Sequence, residues 1–231
     1  MAIKKGDFIE IDYTGKLNDT SKAVFDTTDI EIAKKENLFS KKTKYGPMII
    51  VVGEGQVISG LDKALVGKEL GKFTVEIDDV DAFGKKSAKN IQLVPAKVFV
   101  KENIRPFVGL QVNIDDRIGV IRTVSGGRVM VDFNHPLSSK DVIYDVDVKR
   151  VLTDKKEQVT AFFNLMSFPV ENIEATEKLA TITLATALPE DLTLPLTADI
   201  KRLTGVESVE FKVKEKAKSD VKKTEDKPKS E

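Results

Sequence analysis

Apolar and polar residues alternate over Ile9-Glu10-Ile11-Asp12-Tyr13-Thr14, the period-two pattern of a strand with one face in a core. Thr14-Gly15 reads as its end and Leu17-Asn18-Asp19-Thr20 as a turn. Val24-Phe25-Asp26 is a short apolar piece ending in an acid, and residues 27–46 are polar and irregular, which predicts a long surface excursion. Met48 to Val52 is a continuous apolar run, suited to a strand covered on both faces. Between Gly55 and Gly67, the stretch Val57–Leu65 predicts a short helix with Leu61 and Leu65 on one face and Gly67 as its C-terminal cap. Phe73, Val75 and Ile77 alternate again, and residues 78–84 form a loop.

Residues 85–135 carry a small β pattern of their own. Leu110, Val112 and Ile114 alternate up to a turn at Asp115-Asp116-Arg117, and Ile118 to Val124 continues it. Ser125-Gly126-Gly127-Arg128 then predicts a tight hairpin, because two glycines accept positive φ. Val129, Val131 and Phe133 make the return strand, and Val142, Tyr144, Val146 and Val148 give another. After that the period changes. Asp154-Lys155-Lys156-Glu157 is an acidic capping box, followed by Val159, Phe162, Phe163 and Met166 at helical spacing up to Pro169. A strand at Ala180–Leu184, a helix at Leu196–Leu203 ending at Gly205 and a strand at Val209–Val213 complete an α-β-α-β unit. The expected organisation is a domain built from residues 1–84 and 136–153, an insert over 85–135, a C-terminal domain over 154–213, and a disordered charged tail over 214–231.

Composition narrows the chemistry. With 37 basic and 37 acidic residues in 231, the chain lacks the basic excess of a nucleic-acid or membrane-surface protein, so neither partner is expected. No cysteine is present, which excludes disulfides, thiolate metal sites and a cysteine nucleophile. The single histidine, His135, has no second histidine or cysteine beside it and reads as a loop or hinge residue, so no metal and no cofactor is expected. The first residues run straight into a strand pattern with no secretory leader, and no apolar run has transmembrane length; the expected compartment is the cytoplasm.

The stretch Val52-Gly53-Glu54-Gly55-Gln56-Val57-Ile58-Ser59-Gly60-Leu61-Asp62-Lys63-Ala64-Leu65 closely resembles the helix segment of the FK506-binding-protein (FKBP) type of peptidyl-prolyl isomerase. Ile11-Asp12-Tyr13-Thr14-Gly15-Lys16-Leu17, Val24-Phe25-Asp26, Asp81-Ala82-Phe83-Gly84 and Ile143-Tyr144-Asp145-Val146-Asp147-Val148 resemble other segments of that family in the same order. The interruption after Gly84, with its return at Asn134-His135-Pro136-Leu137, resembles the SlyD-type branch, in which an insert-in-flap domain acts as a chaperone; the C-terminal appendix resembles the long archaeal members. The resemblance implies an α+β fold: an FKBP antiparallel sheet wrapped on a short helix, a small all-β insert, and a C-terminal α/β appendix. It implies a cis/trans isomerase and folding chaperone acting on unfolded or nascent polypeptides with X-Pro bonds.

By the same resemblance, Tyr13, Asp26, Ile58 and Phe83 would be catalytic, and Phe25, Met48, Val57, Leu61 and Tyr144 would bind substrate. The Ile58 backbone N–H would hold a substrate carbonyl, and Asp26 would share a hydrogen bond with Tyr13. Taken as residues alone, Phe25, Val57 and Tyr144 fit an ordinary core equally well. Two positions depart from the family: Leu61 stands where many members carry tryptophan, and Phe83 where many carry tyrosine. A holdase with a weak or silent pocket therefore stays open as the alternative, as does an adaptor recruited to a partner through the C-terminal unit. Val98, Phe99, Val100, Ile104, Phe107, Val108, Leu110, Ile118, Val120, Val129 and Val131 must divide between the insert's own core and an exposed adhesive patch. Val159, Phe162, Phe163 and Met166 read first as packing within the C-terminal unit, and second, because two aromatics sit on one short helix, as a homodimer contact through that domain.

Overall fold

The computed structural model describes residues 2–214. They fall into two units divided between Leu152 and Thr153. The expected tail over 214–231 lies, apart from Lys214, outside the described residues.

In the first unit the opening alternation becomes strand β1 (Phe8–Leu17), longer than its apolar pattern. Gly15 does not end it. A Cβ there would stand 2.8 Å from the Phe25 ring, so this glycine admits an aromatic ring against the strand and makes no turn. Strand β2 (Val24–Thr27) follows, and then a helix that composition alone did not show, α1 (Ile30–Lys35), inside the stretch expected to be irregular. Asp29 starts it by accepting the N–H groups of Glu31 and Ile32, and Ala33 anchors it by burial. Strand β3 (Met48–Val51), helix α2 (Ser59–Leu65) and strand β4 (Gly71–Ile77) come next. Gly67 has positive φ, but its N–H donates to the Ile3 carbonyl and not to α2, so it ties the N-terminal segment down instead of capping the helix. The last strand of this unit, β9 (Val142–Val151), pairs antiparallel with β1 on one side and β4 on the other, while β2 and β3 share the far edge of β1. Leu61 and Leu65 of α2 close the inner face of this five-stranded sheet against Ile9, Ile11, Ile50, Ile77, Val142, Val146 and Val148. Full burial of each such side chain stabilises by about 1.5–3 kcal/mol.

Close approach of α2 to the sheet depends on Gly60. A Cβ at that position would collide with Cγ2 of Ile77 and stand 3.3 Å from the Asp81 carbonyl oxygen, which already accepts the Gly60 N–H at 2.8 Å. Gly60→Ala is expected to destabilise this unit by about 2 kcal/mol through overpacking. Thermal unfolding checks it as a midpoint lowered by roughly 4–8 °C.

Between β4 and β9 the insert builds a separate sheet in the order β5-β8-β7-β6, all antiparallel, from β5 (Ile91–Pro95), β6 (Gln111–Ile114), β7 (Arg117–Ser125) and β8 (Arg128–Asp132). Gly126 and Gly127 both take positive φ at the β7–β8 turn, as a two-residue hairpin demands; Asp115 and Asp116 do the same at the β6–β7 turn without glycine. The sheet carries a short helix, α3 (Ala96–Lys101), in addition to the expected strands, and Phe99 from that helix plugs a small core of Val112, Ile121, Val129 and Val131.

The second unit runs α4 (Lys155–Leu165), β10 (Asn172–Ala175), β11 (Leu179–Leu184), α5 (Glu190–Thr204), β12 (Ser208–Val213). Asp154 caps α4 by accepting the Glu157 N–H, and Gly205 closes α5 in the left-handed conformation. The unit is α-β-β-α-β and not α-β-α-β: β10 adds an antiparallel edge strand to β11, too short and polar to register as alternation, while β11 and β12 pair in parallel across α5. Phe162 and Phe163 are buried, so the two aromatics that suggested a dimer contact are not free surface; of that helix face only Met166 is exposed.

Candidate active site

At the N-terminal end of α2 the sheet leaves a cavity of about 340 Å³ lined by Tyr13 of β1, Asp26 of β2, Met48 of β3, Gln56, Val57, Ile58, Leu61 of α2, Phe83 and Tyr144 of β9. The period of the strands explains the gathering. Tyr13 and Tyr144 lie on the inward face with Ile11 and Val146, and their rings tilt against each other at 5.6 Å. Phe25 is the exception among the residues expected to bind substrate. It stands behind the lining, edge-on to Phe83 at 5.7 Å and to Tyr144 at 5.8 Å, in the space that Gly15 leaves. Its contribution is to set the two ring walls.

The floor is Leu61, which is buried. The entrance to α2 is held by two side chains that no motif singled out. Asp62 accepts the N–H groups of Gly53 (2.7 Å) and Gly55 (3.1 Å), both glycines having positive φ, and Gln56 Oε1 accepts the Val51 N–H at 2.7 Å. These bonds fix the turn that presents Val57 and Ile58 to the cavity. Asp62 is buried and needs donors, which the two glycine turn positions supply from their backbone N–H groups.

Polar groups are few. The Tyr13 hydroxyl donates to Asp26 Oδ2 at 2.8 Å. Among the described residues the Ile58 N–H makes no hydrogen bond, and the Tyr144 hydroxyl has no partner. The latter is a donor within an aromatic wall, on the same cavity where Phe83 offers none. Burial pushes both tyrosine hydroxyls above their ordinary ionisation range, and the charge of Asp26 adds to it. A raised folded-state value means that below about pH 10 both states hold the proton, while above it the unfolded chain sheds protons that the native chain keeps. Stability is therefore expected to fall as pH rises beyond about 10, and Tyr13→Phe with Tyr144→Phe to flatten that fall, measured as denaturant midpoints against pH.

A wider groove of about 820 Å³ lies under α1 and residues 45–47, against Asp12, Asp145, Asp147 and Lys149 of the sheet's polar face. Those charges already pair: Lys149 with Asp12 and Asp147, and Lys16 with Asp145. The smaller cavity joins aromatic and aliphatic walls to the free Ile58 N–H and Tyr144 hydroxyl. Among the described residues no cluster of His, Asp or Glu could hold a metal ion, and no helix is long and apolar enough to cross a membrane.

A cavity of this kind suits the isomerisation of an X-Pro bond. Rotation about an X-Pro bond breaks amide resonance, with a barrier of about 18–20 kcal/mol, and the twisted amide is less polar than the planar one. Apolar walls bind the twisted form better than the ground state, and a fixed N–H can hold a neighbouring carbonyl while the bond turns. Comparison with known proteins agrees. Residues 1–102 match the family described as FKBP-type peptidyl-prolyl cis-trans isomerase, and residues 92–137 match the IF domain of FKBP26. The chain is 30% identical over 156 residues to the short-type peptidyl-prolyl cis-trans isomerase of Methanocaldococcus jannaschii, covering 67% of this chain and 98% of that protein. It is 35% identical over 107 residues to the isomerase SlyD of Haemophilus influenzae, 44% of this chain and 56% of that one. A third relative is the FKBP-type 16 kDa isomerase of Escherichia coli, 30% identical over 111 residues, 46% of this chain and 74% of that one. The chain belongs to the FKBP-type peptidyl-prolyl cis-trans isomerase family.

Proposed function

We propose that the chain isomerises X-Pro bonds in unfolded or nascent cytoplasmic polypeptides and that its insert holds those polypeptides as a chaperone. The substrate proline enters between Tyr13, Val57, Phe83 and Tyr144 over Leu61. The Ile58 N–H takes a substrate carbonyl, and the Asp26–Tyr13 pair faces the rotating amide. The observation that carries this half is the free Ile58 N–H opening onto an aromatic cavity.

Exposure carries the other half. Phe99, Val129 and Val131 go into the insert's core, whereas Val100 (68% exposed), Phe107 (58%), Val108 (63%) and Ile118 (63%) remain in water. Val98, Val100, Ile104, Phe107 and Val108 all sit on α3 and the loop after it, so one short stretch of chain presents most of this apolar surface. Exposed apolar groups of this density mark a contact surface, and apolar side chains without a specific pocket suit the varied apolar segments of unfolded chains. The test is a triple Val100→Ser, Phe107→Ser, Val108→Ser variant. It is expected to lose most suppression of the aggregation of a denatured client while turning over a tetrapeptide at the parental rate. Retained suppression would move the client surface elsewhere. If the parent turned over no tetrapeptide, the chain would be a holdase with a silent cavity.

A further inference from the structure

His135 finds no use as a ligand or a base, yet its ring packs against a residue of the cavity wall. Its ring lies parallel to the Phe83 ring, with centroids 4.6 Å apart and planes 4° from each other. It does not line the cavity, and it is exposed; its ring covers a face of a wall residue that is only half-buried. The imidazole is held in turn. Its Nδ1 accepts the Leu137 N–H at 3.2 Å, which fixes the ring's rotation and leaves the proton of the neutral form on Nε2.

The backbone repeats the arrangement. The Ser138 N–H donates to the His135 carbonyl at 2.9 Å, and the Ser138 hydroxyl to the Phe83 carbonyl at 3.2 Å. The Ser139 N–H donates to the Gly84 carbonyl at 2.8 Å, and the Lys86 N–H to the Ser139 hydroxyl at 2.8 Å. Phe83 is thus gripped at its main chain and at its ring by one turn, residues 135–139. Its edge contact with Phe25 supplies the remaining restraint.

We infer that His135 is a positioning residue for the isomerase reaction: by stacking on Phe83 it holds that wall of the cavity at the spacing that excludes water from the rotating amide. This rests on the reading of the cavity as the prolyl site, which tetrapeptide turnover by the parent chain checks separately. A free Phe83 ring could swing about its side-chain bonds, and a wall that moves binds the twisted amide less selectively than a fixed one. The stack acts through its flat face, so planarity and not mere bulk is the requirement.

Three variants of the full chain test this: His135→Ala, His135→Phe and His135→Leu, each assayed for kcat/KM on a tetrapeptide with one X-Pro bond and for thermal unfolding. His135→Ala is expected to lower kcat/KM roughly fivefold, the scale of one aromatic pair. Its unfolding midpoint should stay within about 2 °C, as for an exposed site. His135→Phe should recover activity to within about twofold, and His135→Leu, similar in volume but without a face, should stay low. Parental activity in His135→Ala would overturn the inference. So would equal recovery by leucine and phenylalanine, or a loss of activity matched in every variant by a loss of stability.

Discussion

Replacing residues 88–133 with a short Gly-Ser loop is expected to leave tetrapeptide isomerisation within about threefold of the parent, and to slow catalysis of a proline-limited refolding reaction roughly a hundredfold. The structure makes this excision clean. No residue of the insert's sheet lines the cavity, and the insert's core is closed on itself. The cut ends are already neighbours: the Ser87 N–H donates to Asn134 Oδ1 at 2.8 Å, and Asn134 Nδ2 returns a bond to the Ser87 carbonyl at 3.1 Å. A short loop can therefore close there, and it keeps His135 on Phe83. A tetrapeptide is too small to touch cavity and insert together, so it reports the cavity alone. A refolding chain can touch both, and capture by the insert turns the meeting of proline and cavity into an intramolecular event. Equal losses on both substrates would mean that the insert shapes the cavity itself. Equal retention would mean that the exposed residues of α3 and its loop do not capture clients.

The cavity was legible in the sequence to the extent that it sits on regular elements. Tyr13 and Tyr144 fall on the inward phase of two alternating strands, and Leu61 on the inward face of a helix with period 3.6, so their convergence follows from pattern plus topology. The features the pattern hid depend on groups with no period. Gly15 reads as a turn residue and serves as a gap for Phe25. Phe25, an apolar residue beside an acid, cannot be assigned by spacing to the lining or to the layer behind it; the T-shaped contacts with Phe83 and Tyr144 decide that. Short helices such as α1 and α3 bury one residue each, Ala33 and Phe99, and one buried residue sets no periodicity. His135 reads from sequence as a loop or hinge residue, because no histidine or cysteine stands near it. Its partner is an aromatic face across the crossing points of the insert, a contact that only the chain's return to the same place creates.

Asp26→Ala is expected to lower kcat/KM for a tetrapeptide about tenfold, Tyr13→Phe about as much, and the double variant by little more than either, where independent action would give about a hundredfold. The reason lies in their single bond. Asp26 belongs to an exposed strand position and reaches the cavity from its rim, while the Tyr13 hydroxyl is buried deeply enough to resist ionisation and spends its proton on Asp26 Oδ2 at 2.8 Å. Removing the tyrosine hydroxyl frees the carboxylate to turn toward water. Removing the carboxylate leaves a hydroxyl without an acceptor in an apolar wall, able to bond the substrate's ground-state carbonyl and to stabilise the planar amide that catalysis must disfavour. Either change breaks the same unit, so the second has little left to remove. Asp26→Asn separates charge from geometry. Its amide oxygen can still accept the Tyr13 proton, so near-parental activity in Asp26→Asn would assign the role to orientation of Tyr13. A loss equal to that of Asp26→Ala would assign it to the negative charge beside the rotating bond. Fully additive losses in the double variant would show that the two side chains act on the substrate separately, and that their hydrogen bond in the free enzyme is incidental to turnover.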